Sequence, residues 1–234
     1  MGLLENIKSP ADVKALSKDE LLSLAGEIRN VILDTVSQNG GHLASNLGMV
    51  EATIALHRIF DSPTDRIIFD VSHQSYAHKL LTGRYGDFST LRKAGGISGF
   101  SNPDESVHDP CFQGHCGTSV SEALAFAAAD SLDGKSNYTV AVVGDGAFTN
   151  GMIYEALNNC TDRKYRLIIL LNDNEMSISK NIGGLNKSFR RMRSSAGYFR
   201  FKHGTQSFLR KIPLLGKGAI WLARKTKTPS RIWS

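Results

Sequence analysis

Between Glu20 and Val36, apolar side chains recur three and four positions apart: Leu21, Leu24, Ala25, Ile28, Val31, Ile32 and Val36. That stripe predicts an amphipathic helix lying on a core. A glycine-rich turn at Asn39 to Gly41 follows, and a second helix is predicted from about Met49 to Phe60, ended by Pro63. The pattern then changes. Arg66 to Asp70, Thr139 to Val143 and Arg166 to Leu171 are short, continuous apolar runs bounded by glycines or polar residues, the signature of strands buried on both faces. Helical segments lie between them, including one from about Gly151 to Asn159. Strands alternating with helices predict an α/β fold: an open, mostly parallel sheet with helices on both faces and ligands at the carboxyl ends of the strands.

Two local readings refine this outline. Ser119 and Glu122 have the spacing of a capping box at the start of an alanine-rich helix. Within that helix, Ala123 to Ala129 read as close packing and Phe126 as core. Beyond Asn186 the periodicity weakens, although Ala219 to Arg224 reads as a further helix. Residues 1–186 are therefore taken as one domain, and 187–234 as a basic carboxyl segment continuing it.

Composition narrows the class. With 234 residues, 41% of them hydrophobic, the chain suffices for one α/β domain burying roughly 70% of its unfolded surface. No apolar run reaches the ~18 to 20 residues of a membrane span, and the start lacks a secretory pattern, so a cytoplasmic protein without a membrane partner is the default. Cys111, Cys116 and Cys160 show no CxxC spacing, and reduced thiols are expected. Cys111-x4-Cys116 beside His115, with no second ligand pair, falls short of a soft-metal site.

The net charge of +6 is unevenly spread. Residues 176–234 hold fourteen Lys or Arg and no acid, whereas residues 1–175 hold fourteen basic and twenty-two acidic residues. The basic stretch also carries Phe189, Tyr198, Phe199, Phe201, Phe208, Trp221 and Trp233, which admits a polyanion-binding surface. No nucleic-acid fold motif accompanies it, so a solvated segment beside an anionic cofactor is preferred over a nucleic-acid partner.

Chemistry concentrates at two strand ends. Val142-Val-Gly-Asp-Gly146 closes one predicted strand and Leu170-Leu-Asn-Asp-Asn-Glu-Met176 closes the next, with Asp145 and Asn174 twenty-nine positions apart. That interval holds a loop, a helix and a strand, a βαβ unit that brings both strand ends to one sheet edge. A hard cation such as Mg²⁺ takes oxygen ligands and shares them with phosphates, and Asp145, the Asn174 amide and a carbonyl near Met176 suit it. Glycines flanking Asp145 admit a diphosphate close to the backbone, near the amino end of the following helix.

This pairing resembles the thiamine-diphosphate motif, and the wording around it resembles the 1-deoxy-D-xylulose-5-phosphate synthases. GDGAFTNGMIYEALNN and LNDNEMSIS carry that resemblance. So do GGHLASNLGMVEATIALHRIFD (Gly40 to Asp61), IIFDVSHQSYAHKLLTGR (Ile67 to Arg84) and GHCGTSVSEALAFAAA (Gly114 to Ala129). Together the matching segments span about Leu16 to Lys187.

The resemblance implies a thiamine-diphosphate-binding fold that holds thiamine diphosphate and Mg²⁺. It implies metal contacts from Asp145, Asn174 and Met176, and Gly144, Gly146 and Ala147 against the diphosphate. Gly114, His73 and His115 would lie along the cofactor, and His42, His73 and His115 match the family's active-site histidines. A histidine suits proton transfer there because its pKa lies close to operating pH. His57, His78, His108 and His203 are read as structural.

The implied reaction condenses pyruvate with glyceraldehyde 3-phosphate and releases carbon dioxide, a step toward isoprenoid and thiamine precursors. The family's aminopyrimidine-binding glutamate lies in a second α/β domain, so half a site is expected here, completed by a further domain, a homodimer partner or a partner chain. Alternatives are a subunit of a split transketolase and a non-catalytic polyanion binder. Two departures stand out: Ser72 replaces the family's glycine before His73, and Cys116-Gly117 replaces a pair of serines after His115. The added β-carbon of Ser72 either crowds the ring or is taken up by local adjustment.

Overall fold

The computed structural model describes residues 2–160 and 165–172. Its elements run α1 (Pro10–Ala15), α2 (Lys18–Asn39), α3 (Leu43–Leu47), α4 (Val50–Ile59), β1 (Arg66–Phe69), α5 (Tyr76–Leu81), α6 (Ser119–Leu132), β2 (Thr139–Gly144), α7 (Gly151–Asn159) and β3 (Leu167–Asn172). The apolar stripe predicted from Glu20 to Val36 is the buried face of α2. That helix is longer than its stripe because Ser17 and Glu20 form a capping box ahead of it, and Gly40, at φ +73°, ends it.

The three strands are parallel and lie in the order β1-β2-β3. Alternate side chains go to opposite faces of the sheet. Ile67, Phe69, Val140 and Val142 pack with Met49 and Leu56, the latter on α4. Ile68, Ala141 and Val143 pack with Val120 and Ala123 of α6 and Ile153 and Ala156 of α7. Helices thus cover both faces, as the alternation of elements predicts. A further cluster joins α1, α2, α4 and α5 through Val13, Leu24, Ile28, Ile32, Ile54, Tyr76 and Leu80.

The start of α6 differs from expectation. Its N-cap is Thr118, which makes no side-chain cap. The Ser119 hydroxyl instead donates to Asp70 at 2.6 Å, and the Glu122 carboxylate accepts from Cys111 and Gln113. Buried carboxylate Asp70, at the end of β1, takes the role assigned to the capping box, because it satisfies the amino end of α6 with a full charge. Phe126 is half-buried against the α6 and α7 cluster, with the Arg66 guanidinium 4.8 Å above its ring. The expected helix at 219–224 and the boundary at 186/187 lie outside the described residues. No helix among the described residues is long and apolar enough to cross a membrane.

Candidate active site

The register of the sheet sets Gly144 opposite Asn172, and the Asp145 backbone N–H donates to the Asn172 carbonyl at 3.0 Å. The Gly-Asp-Gly turn therefore lies against the strand end that leads to Asn174. Asn174 and Met176 themselves lie outside the described residues. Asp145 Oδ1 accepts from the Gly146 N–H at 2.9 Å, which holds the carboxylate over its own turn. Ala147 to Thr149 form a single 3₁₀ turn before α7. Asn150 then caps α7 by accepting from the Met152 N–H at 3.0 Å. One donor of that helix end is thus occupied by the chain itself.

β1 ends beside the same edge. The Asp70 carboxylate accepts from the Gly117 N–H at 2.9 and 3.0 Å, from the Ser119 N–H at 3.3 Å and from the Ser119 hydroxyl. Asn150 donates to the Cys116 carbonyl at 3.2 Å. The loop carrying Gly114 and His115 is thereby tied on one side to the end of β1 and on the other to the start of α7. His115 is exposed and lines, with Gly114, Phe112, Gln113, Thr118 and Glu122, a cavity of about 290 Å³. The Cys111 thiol donates to Glu122 at 2.8 Å, and burial, reinforced by that carboxylate, pushes its pKa up to about 12.

His42 and His73 are brought together, their ring centroids 5.1 Å apart and edge-on, with Phe100 6.3 Å from His42. Burial lowers the pKa of both. Arg92 depresses His42 further, and His42 depresses His73, with Asp70 opposing. Both imidazoles are accordingly neutral at physiological pH. His73 Nδ1 is buried without a hydrogen-bond partner among the described residues. A buried orphan of this kind is costly and marks a place where a ligand or water completes the structure.

The turn bearing His73 is held in an uncommon conformation. Val71 and Ser72 both sit at positive φ, +59° and +71°. Ser72 is fully buried, and its oxygen accepts from the Ser101 N–H at 2.7 Å and lies 2.7 Å from the Ser101 hydroxyl. The β-carbon is thus taken up locally, with the serine tethered to the 101 loop. Gly117, the other departure, has φ +90°, and a β-carbon there would strike the Asn150 side chain at 2.5 Å.

Sequence reasoning missed the supporting carboxylate Asp70, the cap Asn150 and the amide Asn46. Asp70 stands in the same matching segment as His73, and its place at the end of a strand was the available signal. Of the histidines read as structural, His57 and His78 form a separate centre, and His203 lies outside the described residues. His57 Nε2 lies 2.8 Å from His78 Nδ1, and His78 Nε2 lies 3.0 Å from Asp109, all fully buried.

An end-of-strand glycine turn, a parallel three-stranded sheet and helices on both faces define a transketolase-like, thiamine-diphosphate-binding fold. Among solved structures, transketolase from Campylobacter jejuni subsp. jejuni NCTC 11168 superposes with a TM-score of 0.65 at 22% identity, covering 74% of this chain and 32% of that one. The Leishmania mexicana transketolase gives 0.61 at 20%, covering 74% and 31%. The family model described as 1-deoxy-D-xylulose-5-phosphate synthase matches residues 4–232, and the chain belongs to that family. Curated relatives with that name from Symbiobacterium thermophilum and Syntrophotalea carbinolica are each 53% identical, over 96% and 97% of this chain. The chain spans 35% and 36% of their lengths, about a third.

Proposed function

We propose that this chain supplies the diphosphate- and metal-binding half of a thiamine-diphosphate site in a transferase that makes 1-deoxy-D-xylulose 5-phosphate. The substrates are pyruvate and glyceraldehyde 3-phosphate, and carbon dioxide is released. The observation that carries the reading is the β2–β3 register, which sets the Gly144-Asp145-Gly146 turn beside the strand end leading to Asn174.

The residues present fit the group. A β-carbon at Gly144 or Gly114 would meet nothing within 4 Å, so both positions leave room for a ligand against the backbone. Gly144, Gly146 and Ala147 take the diphosphate, and Asp145, Asn174 and the Met176 carbonyl take Mg²⁺. When bound, thiamine diphosphate supplies the electron sink for the carbon that loses carbon dioxide. His73 and His115, with Gly114, bound the reacting end, and His42 stands beside His73. Their part is proton transfer. Carbon–carbon bond formation turns the aldehyde oxygen into a hydroxyl, and an imidazole that shuttles a proton at near-neutral pH suits the charge developing there.

The comparisons support the synthase over a split transketolase, because the named relatives reach 53% identity whereas the transketolase structures share only the fold. A dimer, or completion of the site by a further domain or partner chain, belongs to the same proposal.

Calorimetry with thiamine diphosphate, with and without Mg²⁺, tests the site. Asp145→Ala is expected to abolish the Mg²⁺-dependent component, since it removes the one anionic protein ligand in the proposed set. An affinity unchanged by that substitution rules the site out.

A further inference from the structure

Asn46 lies in the short helix α3 and is wholly buried. Its amide nitrogen donates twice, to the His42 carbonyl at 2.5 Å and to the His73 carbonyl at 2.7 Å. Its amide oxygen accepts from the N–H of Tyr76, the first residue of α5, at 2.9 Å. Both hydrogens of the nitrogen are therefore committed. Capping α5 requires the oxygen alone, so the two donated bonds call for a separate explanation. Their acceptors belong to the two residues whose rings meet 5.1 Å apart.

We propose that Asn46 is a positioning residue, which fixes the spacing of the His42 and His73 rings by bonding the main chain of both. The inference rests on the reading of these histidines given above. His42 lies at the amino end of α3 and His73 in the β1–α5 turn, twenty-seven residues beyond Asn46. Asn46 fastens these separate stretches together at the histidines. The side chains themselves stay free of it, so their ring nitrogens remain open to a ligand. Groups that act at effective molarity must be held in place, and a displacement of about 1 Å at such a site can cost roughly 100-fold in rate.

Asn46→Asp separates the two roles of the side chain. It keeps shape and acceptor, so the cap on α5 survives, but it removes both donors and sets a carboxylate against two carbonyl oxygens. The readout is the coupling between the two imidazoles, measured by NMR titration of the labelled chain. His42 faces Arg92 and His73, and His73 faces His42 and Asp70. A new carboxylate shifts both midpoints by itself, so what is compared is the change that His42→Gln produces in the His73 midpoint within each background.

With Asn46 present, His42→Gln is expected to raise the His73 midpoint by about 0.5 pH unit, the size expected for charges about 5 Å apart in a watery dielectric. In the N46D background the same substitution is expected to leave His73 unmoved. Coupling that persists undiminished there, with only a lower melting temperature, overturns the proposal and makes Asn46 a structural cap. Should N46D fail to fold, Asn46→Ser, which keeps a single donor, decides: weakened coupling supports the proposal and full coupling overturns it. Unchanged thiamine diphosphate binding in both His42→Gln and His73→Gln would instead overturn the reading of the site, and the positioning role with it, even where the coupling is present.

Discussion

Two pairs of histidines stand at nearly the same ring separation in this fold, 5.1 Å for His42 and His73 and 5.0 Å for His57 and His78. Their surroundings differ in kind. Asp109 is a buried carboxylate that accepts from Arg84 at 2.7 and 3.0 Å and from the Asn102 N–H at 2.9 Å, so His78 places its proton on Nε2 toward it. His78 Nδ1 is then the acceptor for the His57 Nε2–H. Lys79 completes the cluster by donating to Glu105 at 2.7 Å. His42 and His73 meet edge-on, their backbones held by one amide, and His73 Nδ1 is unpartnered. The first pair commits three of its four ring nitrogens to the fold, with His57 Nδ1 left without a partner among the described residues. The second pair is held through its backbone instead.

The sharpest way to break this comparison is Asp109→Ala. Removing the carboxylate leaves Arg84 and Lys79 buried with a reduced anionic partner and strips His78 of its acceptor. Truncating one member of a buried ion cluster costs roughly 3–5 kcal/mol, and urea unfolding should show a loss of that size. A change under about 1 kcal/mol would mean that water relaxes the cluster and that the pair is less structural than its burial implies.

Acid should distinguish the pairs next. Burial first, then the neighbouring positive groups, lowers the pKa of His57, and burial lowers His78 against the pull of Asp109. His108, whose Nδ1 meets the Ser62 hydroxyl, is depressed to about 4. A histidine with a lowered pKa takes up its proton more readily unfolded. Stability therefore falls as pH drops below the unfolded value of about 6.5, by up to about 1.4 kcal/mol per pH unit for each fully buried ring. Asp109 behaves differently. Burial opposes its charge, but bonds from His78 and Arg84 hold its pKa well below the usual carboxylate range. The stability it lends is fully present above about pH 4 and is lost only below that. Urea midpoints should thus decline through the imidazole range first. His57→Gln should flatten that slope more than His42→Gln, whose ring is more open to water and better screened.

Asp70→Ala comes third. The carboxylate anchors the amino end of α6 by bonds to Gly117 and Ser119, and charge-assisted bonds of this kind contribute about 1.5–3 kcal/mol. A loss of about 2–3 kcal/mol in urea unfolding is expected, together with a shifted His115 resonance and an unmoved His57. An unmoved His115 would show that Asn150 alone places that loop.

The contrast also explains what the sequence disclosed. The strands at 66–69, 139–144 and 167–172 and the helices α2, α4 and α7 were legible because each carries its own periodicity or apolar run. His42 and His73 were singled out through their motifs, and the structure brings their rings together. The buried centre was not legible. Arg84 and Asp109 are twenty-five residues apart and His57 and His78 twenty-one, and only His57 lies on a helix whose pattern was legible. The Ser119 and Glu122 spacing misled for a related reason: a tertiary partner, Asp70, outbids a local cap when it brings a buried charge. Asn46 gave no signal at all, because a satisfied buried amide looks in sequence like any polar helix residue.

The smallest expected effect concerns the turn that presents His73. Ser72 sits at φ +71°, where a β-carbon is strained by about 1 kcal/mol or more, and its hydroxyl recovers part of that cost through Ser101. Ser72→Ala keeps the strain and loses the bonds, leaving the Ser101 N–H unpaired, so it should destabilise by about 1–3 kcal/mol. Ser72→Gly loses the same bonds but releases the strain, and should fall within about 1 kcal/mol of the parent chain. The difference between the two variants isolates the strain from the tether. Equal losses would mean that the turn is relaxed and that the Ser101 bonds alone hold it. A milder loss for glycine, with the His73 resonance broadened, would mean that a strained, tethered serine keeps this histidine in one orientation beside His42.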